Sequence, residues 1–401
     1  TGTDFHQGRI KWDTCYHVSE ARFAEAEYIH LRNRDLLITK DGTIGKIAYV
    51  EDCPEKAVLN SGIFLLRCRD GSYNHRYMYF VLQSNYFRRF LDDSLAGSTI
   101  QHLYQYVFER FEFPVPALPE QTKIAEVLSR VDQAIEQTEA LIAKQQRIKT
   151  GLMQDLLTRG IDEHGNLRSE KTHEFKDSPL GRIPVEWKVK ELRELIASAV
   201  DGPFGSNLKT EHYVDEPGVR VVRLQNVGNG EFIDSEKAWI SKEHAKRLER
   251  HSVLSGDMLV GSLGDDKRLF GRACLYPNTQ DPAIVKADVF RIRSKSDVMV
   301  NEFAFRLLNL PRWRSGLFGL AQGVTRNRVN LTNLLHLQLP VPKKEEQQRT
   351  ASILDAEDQV IIRMQSNLSK LTTLKTALMQ DLLTGKVPVT PLLTEPLEAS
   401  A

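Results

Sequence analysis

The chain has 401 residues, of which 41% are hydrophobic and 27% charged, and its formal net charge is +1. This length exceeds what one hydrophobic core supports, so two or three domains are expected, and the composition excludes a disordered or collagen-like protein. No run of about 18 apolar residues occurs and the start lacks a signal peptide, which predicts a cytoplasmic protein without a membrane partner. The four cysteines lack metal-ligand or disulfide spacing and are predicted to be incidental thiols.

An internal repeat organises the chain. The segment PVPALPEQ (114–121) returns as PVPKKEEQ (340–347), and LMQDLLT (152–158) returns unchanged at 378–384, a shift of 226 residues. The same shift aligns the strand-like runs 57–67 and 283–293. Further upstream the shift is 222, which pairs 35–38 with 257–260 and indicates that the second copy has gained four residues around 265–268.

Each copy is predicted to be a mixed α/β domain followed by a long helix. Apolar residues three and four apart predict helices over 120–158 and 346–384, each with a packing seam. We expect the helices to pack as an antiparallel coiled coil that separates the two domains, with two separate helical hairpins as the alternative. The seam residues are Ile124, Leu128, Val131, Ile135, Ile142, Ile148, Leu152, Leu354, Ile361, Met364, Leu368, Leu371 and Leu378.

The predicted boundaries follow from the repeat. Strands alternate with Gly, Asn and Asp turns in both mixed domains, and each domain has one predicted helix, over 77–91 in the first copy and 303–317 in the second. The first copy lacks a counterpart of the start of the second, so the chain is expected to begin within its first domain. The predicted segments are a first domain at 1–118, a central helix at 119–159, a crossover at 160–181, a second domain at 182–344, a second helix at 345–386 and a flexible tail at 387–401.

These motifs carry a resemblance to a known family. Two domains ending in PxPxxxEQ, each followed by a helix closing with LMQDLLT, resemble the specificity subunits of type I restriction-modification systems. The segments IPVEWKVKELREL (183–195), GPFGSNLKTEHY (202–213) and VVRLQNVGNGEF (221–232) look like the start of a target recognition domain of that family. The resemblance covers nearly the whole chain.

The resemblance implies function as well as fold. Two target recognition domains would each read one half of a split double-stranded DNA sequence, and the helices would hold two methyltransferase (modification) subunits. Restriction subunits would join through the complex. S-adenosylmethionine would bind the methyltransferase partner, so this chain would carry no cofactor, no metal and no catalytic residues.

The residues themselves agree with a non-catalytic chain. The stretch DGTIGK (41–46) lacks the glycine spacing of a phosphate-binding loop and is predicted to be a turn between strands. The acids and lysine at Asp177, Glu186 and Lys188 have loose nuclease-like spacing, but Trp187 between them is predicted to pack in a core. An enzyme with an unrecognised site and a helical scaffold that binds mainly proteins remain the competing hypotheses.

Polar and basic loops near glycine are the candidate DNA contacts, because arginine suits guanine and asparagine or glutamine suits adenine in the major groove. Residues 182–344 contain 26 Lys or Arg against 19 Asp or Glu, whereas residues 1–118 contain 14 against 15. The charge surplus therefore favours DNA binding by the second domain. The candidates are Thr325, Arg326, Asn327 and Arg328, their counterparts Thr99, Gln101 and His102, the loop residues Ser206, Asn207 and Lys209, and the inserted Lys267 and Arg268.

Overall fold

The computed structural model describes residues 1–68, 70–95, 102–215, 218–264, 269–278, 283–319 and 328–394. The chain divides into two compact units. The first unit combines residues 1–142 with 363–401, and the second unit spans 143–362. Both long helices are shared between the units, so each unit contains one mixed domain and part of each helix. In the described part of the chain, no helix is long and apolar enough to cross a membrane.

The first unit is built on a three-stranded antiparallel sheet in the order β4-β3-β5. Strand β3 is buried along its whole length because its sequence is nearly all apolar. Two helices, α2 and α3, pack beside the sheet through Tyr77, Phe80 and Phe87. The elements are β1 (Phe5–His6), β2 (Arg9–Ile10), α1 (Glu20–Ala24), β3 (Leu36–Thr39), β4 (Ile47–Tyr49), β5 (Ile63–Leu66), α2 (His75–Gln83), α3 (Asn85–Leu95), α4 (Gln105–Phe108) and α5 (Leu118–Leu156).

The second unit contains a five-stranded sheet in the order β10-β12-β11-β16-β13 and a four-stranded sheet in the order β15-β14-β17-β9. The elements are β6 (Phe175–Lys176), β7 (Ile183–Pro184), β8 (Lys188–Glu191), α6 (Leu192–Leu195), β9 (Ile196–Asp201), β10 (Tyr213–Val214), β11 (Val219–Val222), β12 (Trp239–Ile240), α7 (Lys242–Arg247), β13 (Ser252–Val253), β14 (Met258–Gly261), β15 (Ala273–Leu275), β16 (Ala283–Val285), β17 (Val289–Ser294), α8 (Asn301–Asn309), α9 (Pro311–Phe318), α10 (Leu331–Leu335), β18 (Gln338–Val341) and α11 (Lys344–Leu383). A last short helix, α12 (Pro391–Thr394), follows in the first unit.

The two mixed domains repeat the same three strands in space. Strand β3 corresponds to β14 at a shift of 222, and β4 and β5 correspond to β15 and β17 at a shift of 226. The change of shift falls between the first and second of these strands, as the sequence predicts. A buried ion pair is repeated as well, because Asp35 binds Arg67 at 2.7 Å and Asp257 binds Arg293 at 2.7 Å.

Three predicted elements are interrupted. The helices predicted over 77–91 and 303–317 are each two helices, with breaks at Ser84 and Leu310, whose backbones are extended. Leu310 precedes Pro311, which disfavours a helical conformation at Leu310 and favours a new helix start at the proline. The run 283–293 is two strands because Asp288 turns the chain with a φ of 70°.

The long helices begin and end within two residues of the predicted bounds, and in each unit their segments run antiparallel. In the first unit, Leu128 near the start of α5 shares a core with Leu382 at the end of α11. In the second unit, Leu156 at the end of α5 shares a core with Leu354 near the start of α11. The duplication also repeats an interhelix ion pair, Asp132–Lys375 in the first unit and Asp358–Lys149 in the second.

The predicted seam residues are buried or half-buried with one exception. Ile148 is 41% exposed, so its assignment to the seam is wrong. The buried members are Ile124, Leu128, Ile142, Leu354 and Ile361, and the half-buried members are Val131, Ile135, Leu152, Met364, Leu368, Leu371 and Leu378.

The crossover and the described part of the tail each contain residues that pack in a core. Ile161 and Arg168 of the crossover are 3% and 4% exposed, and Arg168 donates to Glu346 at the start of α11. The indole of Trp187 donates to the same carboxylate at 3.2 Å, which fits its predicted place in a core rather than a nuclease site. In the first unit, Val389 is 2% exposed, so this part of the predicted flexible tail lies in the core.

The glutamine of each PxPxxxEQ motif fastens a long helix to its mixed domain. Gln347 is fully buried; its amide donates to the carbonyls of Val298 and Pro342 and accepts from the backbone of Val300 at 2.9 Å. In the first unit, Gln121 donates to Pro116 and accepts from Asn74 in the same way. The motif therefore satisfies the backbone at the start of α8 or α2, where helical partners are missing.

We predict that Gln347→Ala destabilises the second unit by about 3 kcal/mol, because the substitution leaves a buried backbone N–H and two carbonyls without partners. A urea titration followed by tryptophan fluorescence measures the change in the unfolding transition. Gln348→Ala is the matched control, since Gln348 is the exposed neighbour on the same helix. Equal midpoints for the two variants would contradict this role of Gln347.

Candidate nucleic-acid interface

The predicted DNA contacts fall into two groups. His102, Ser206, Asn207, Lys209 and Arg328 belong to the part of the chain that the structure describes. The remaining candidates lie outside the described residues, and they are Thr99, Gln101, Lys267, Arg268, Thr325, Arg326 and Asn327.

The loop that follows β9 presents polar side chains on a fixed base. Leu208 is 3% exposed and anchors the loop in an apolar cluster, whereas Ser206 and Asn207 beside it are exposed. The backbone carbonyl of Asn207 contacts His244 Nε2 at 2.9 Å. Lys209 is 51% exposed. The three predicted contact residues of this loop therefore point to solvent from an anchored backbone.

Arg328 brings a second predicted loop to the same place. Its backbone forms an isolated β-bridge with Leu263, directly after β14. Its guanidinium pairs with Asp288 at 2.9 Å and lies 5.3 Å from the centre of the Phe204 ring, which belongs to the loop after β9. The structure thus joins two sequence-distant candidate groups, and it adds Phe204 and Asp288, which sequence analysis did not single out.

A half-buried carboxylate, Asp201, lies beside this group. Burial raises the pKa of Asp201 to about 6, while the positive charge of Arg328 partly opposes that shift and Asp288 adds to it. Among the described residues, Asp201 Oδ1 has no hydrogen-bond partner. Because a free carboxylate titrates near pH 3.9, Asp201 gains its charge at a higher pH than usual, and the negative potential around Arg328 grows as the pH rises through about 6.

The first unit carries the equivalent feature with different side chains. His102, which corresponds to Arg328, forms the equivalent isolated bridge with Asp41, which corresponds to Leu263. The imidazole Nδ1 of His102 also contacts the Asp41 carboxylate. Tyr104 and Tyr106 continue from His102 as a row of contacting rings, and they are 52% and 59% exposed. Aromatic side chains therefore line the described part of this surface, and sequence analysis did not single them out.

Part of the basic surplus of the second domain is internal. Burial lowers the pKa of Arg220, Arg291 and Arg314. Among the described residues of this domain, one carboxylate, Asp257, is buried. The net charge of the domain therefore overstates the cations that could reach phosphate groups, which corrects the charge argument made from the sequence. The buried arginines are Arg220, Arg272, Arg291, Arg306 and Arg314.

Within the described ranges, no three histidine, cysteine or acidic side chains come together as metal ligands would. The thiol of Cys274 is buried, and burial raises its pKa to about 12. The chemistry that these surfaces offer is hydrogen bonding, stacking and charge pairing.

Comparison with known proteins identifies the family to which the chain is similar. The family described as type I restriction modification DNA specificity domain matches the chain at residues 15–145 and again at 184–373, once for each copy of the repeat. The chain belongs to this family. The prediction made from the duplicated motifs is thereby confirmed.

Two curated relatives are specificity subunits, and the chain matches most of the length of each. The chain is 26% identical to the type I restriction enzyme MjaVIII specificity subunit of Methanocaldococcus jannaschii, covering 91% of this chain and 83% of that protein. It is 24% identical to the EcoBI specificity subunit of Escherichia coli, covering 88% of this chain and 73% of that protein. A non-catalytic specificity subunit is accordingly the class to which these proteins point.

Solved structures share the fold. The chain resembles a structure concerned with the assembly and conformational transition of a type I R-M system, with a TM-score of 0.54 at 16% identity, covering 90% of this chain and 85% of the other. The S subunit of a type I system from M. genitalium gives a TM-score of 0.53 at 16% identity, covering 88% and 83%. The predicted mixed α/β fold with two repeated domains is confirmed at this level.

Proposed function

We infer that this specificity-domain protein is the sequence-specific DNA-recognition subunit of a type I restriction-modification complex. Each mixed domain would read one half of a bipartite double-stranded target. The observation that carries the proposal is the duplication: the family matches both copies, and both copies place a polar or cationic side chain at the same bridge position, His102 in one and Arg328 in the other.

We propose the domain limits stated in the sequence analysis, with the helices as an antiparallel coiled coil that separates the target recognition domains. The long continuous helices and their antiparallel packing inside each unit support this arrangement. DNA, two methyltransferase subunits and, through the complex, restriction subunits are the proposed partners. S-adenosylmethionine would bind the methyltransferase subunits, and the complex would work on DNA in the cytoplasm.

Exposed apolar side chains on the helices support partner docking. In the second unit, Ile148, Ile353 and Ile362 are 41%, 38% and 52% exposed. In the first unit, Leu374 is 48% exposed and occupies the position that corresponds to Ile148. The fold does not need an apolar residue at a solvent-exposed helical position, so its repetition in both copies favours a surface that a protein partner covers.

The proposal is tested by co-expressing the chain with methyltransferase subunits and mapping methylated adenines across a genome. A single bipartite motif is expected, with two fixed half-sites and an unspecified spacer. Gel shifts with random duplexes, with and without the methyltransferase subunits, distinguish the competing scaffold hypothesis. A scaffold would assemble with its partners and leave sequence preference unchanged.

We predict that Lys209→Ala weakens binding about equally for all DNA sequences and reduces the slope of log affinity against log salt by about one, because a lost phosphate contact releases one fewer counterion. Lys295→Ala is the matched control. Lys295 is also exposed. It lies directly after β17, where its N–H donates to the Leu195 carbonyl, and this is the end of β9 opposite to Gly202. Identical salt slopes for the two variants would remove Lys209 from the interface.

We predict that Ile148→Asp and Leu374→Asp each weaken assembly with methyltransferase subunits by at least tenfold while the chain keeps its melting temperature. A charge at a covered apolar position must be desolvated, whereas the same charge in the free chain faces water. Ser369→Asp, at an exposed position on a different face of α11 from Leu374, is the control for added charge. Analytical ultracentrifugation measures assembly, and unchanged assembly in both variants would refute docking at these positions.

The helices are expected to set the distance between the half-sites. Four helical residues inserted after Ala140 and four after Ser366, which are matching points of the repeat, add about 6 Å to each helix and keep the facing seams in step. At about 3.4 Å per base pair, the spacer should lengthen by one or two base pairs while both half-sites stay the same. Methylation mapping decides, and an unchanged spacer would show that another element fixes the distance.

A further inference from the structure

The Arg328 side chain is held on several sides although it reaches solvent. The next residue, Val329, is fully buried and its N–H donates to the Ser262 carbonyl at 3.0 Å, which fixes the backbone of Arg328 against the end of β14. Asp288 pairs with one edge of the guanidinium through Nη2, and Phe204 lies beside its plane. Even so, 45% of the Arg328 side chain is exposed.

The two groups that hold Arg328 are themselves supported by a close approach of the backbone and by one unusual backbone conformation. Gly202 lets the loop of Phe204 approach the β16–β17 turn, because a Cβ at position 202 would lie 2.0 Å from the carbonyl carbon and oxygen of Lys286. Asp288 has a φ of 70°, which most residues avoid, and its carbonyl accepts from the Ser262 N–H at 2.9 Å. Both neighbours of one exposed arginine are thus held by local backbone features.

One ion pair of the fold occurs in both copies with the same residue types, as Asp35–Arg67 and as Asp257–Arg293. The pair at Arg328 behaves differently. Its counterpart is His102 with Asp41, in which the cation has changed type and the acid comes from a different strand connection. Gly62 occupies the position that corresponds to Asp288. Both copies therefore pair a basic side chain with an acid, but the hydrogen-bond donors of the basic side chain differ. This difference is expected of positions that read different bases.

We propose that Arg328 reads a guanine in the second half-site, and that Phe204 and Asp288 are positioning residues that orient its guanidinium for that contact. The inference rests on the proposed DNA-recognition function. Arginine donates two parallel hydrogen bonds to N7 and O6 of guanine, a geometry that depends on the orientation of a planar group. The Phe204 ring, whose centre is 5.3 Å from the guanidinium carbon, would restrict the plane, and the ion pair with Asp288 would restrict the rotation within that plane.

The test uses the assembled complex with methyltransferase subunits and its mapped target. Each guanine of the second half-site is replaced in turn by 7-deazaguanine, which lacks N7 and still pairs with cytosine. At one position, the wild-type complex should bind about tenfold more weakly. Arg328→Lys keeps the charge and loses the planar fork, so it should lose the sensitivity to that replacement while its salt dependence stays the same.

The positioning residues are tested by the same measurement, which is the ratio of the affinity for the unmodified target to the affinity for the target that carries 7-deazaguanine. Asp288→Asn suits the left-handed backbone and removes the charge, and Phe204→Leu removes the ring; each should reduce the tenfold ratio by at least threefold. Phe204→Tyr keeps the ring and should restore the ratio. Lys209→Ala is the control, because a phosphate contact changes all affinities together and leaves the ratio unchanged.

Several results would overturn the inference. A second half-site without guanine, or Arg328→Lys with the wild-type ratio at every guanine, would remove Arg328 as the reader while the bipartite motif still upheld the proposed function. Wild-type ratios in both Asp288→Asn and Phe204→Leu would remove the positioning roles. The absence of any bipartite motif in the wild-type complex would instead be a failure of the proposed function itself.

Discussion

The buried glutamine at the start of each long helix, joined in the second unit by a buried glutamate, is the constraint on which the rest of the structure depends. In the second unit, Gln347 joins α11 to the domain helix α8, and Glu346 gathers the Ile161 N–H, the Arg168 guanidinium and the Trp187 indole. Burying a carboxylate costs free energy even when several donors contact it, and leaving it buried without those donors costs far more. The pair therefore fixes one geometry between helix, crossover and domain.

Because the chain is duplicated, comparing the two copies distinguishes the residues that maintain the fold from the residues of the candidate recognition surface. Interactions that hold the fold occur twice, as in Asp132–Lys375 and Asp358–Lys149, where the residues correspond one to one. Interactions at the candidate interface keep their position and change their chemistry, as His102 and Arg328 show. The repeated ion pairs are therefore assigned to the fold, and the change of side chain at the matching position of His102 and Arg328 supports a role for that position in selecting a ligand.

The sequence was sufficient where the physical signal is local or periodic. The long helices, the change of shift between β3 and β4 and the buried Trp187 all follow from spacing that a single chain displays. The breaks at Ser84 and Leu310 were missed, although Pro311 signals the second of them. The contact of Phe204 and Asp288 with Arg328 could not be foreseen, because it depends on how Gly202 brings one loop onto a turn more than 80 residues away in sequence.

Charge was the least reliable of the sequence signals, and the reason is physical. Five arginines counted toward the basic surplus of the second domain are buried in its described part, where they bind backbone carbonyls and acids, as Arg272 does with the carbonyls of Val227 and Leu224. Such guanidiniums organise loops and cannot release counterions from DNA. Burial of these five side chains lowers the number of cations that can contribute binding independent of sequence. Discrimination of one base from another needs side chains held in place, as Arg328 is.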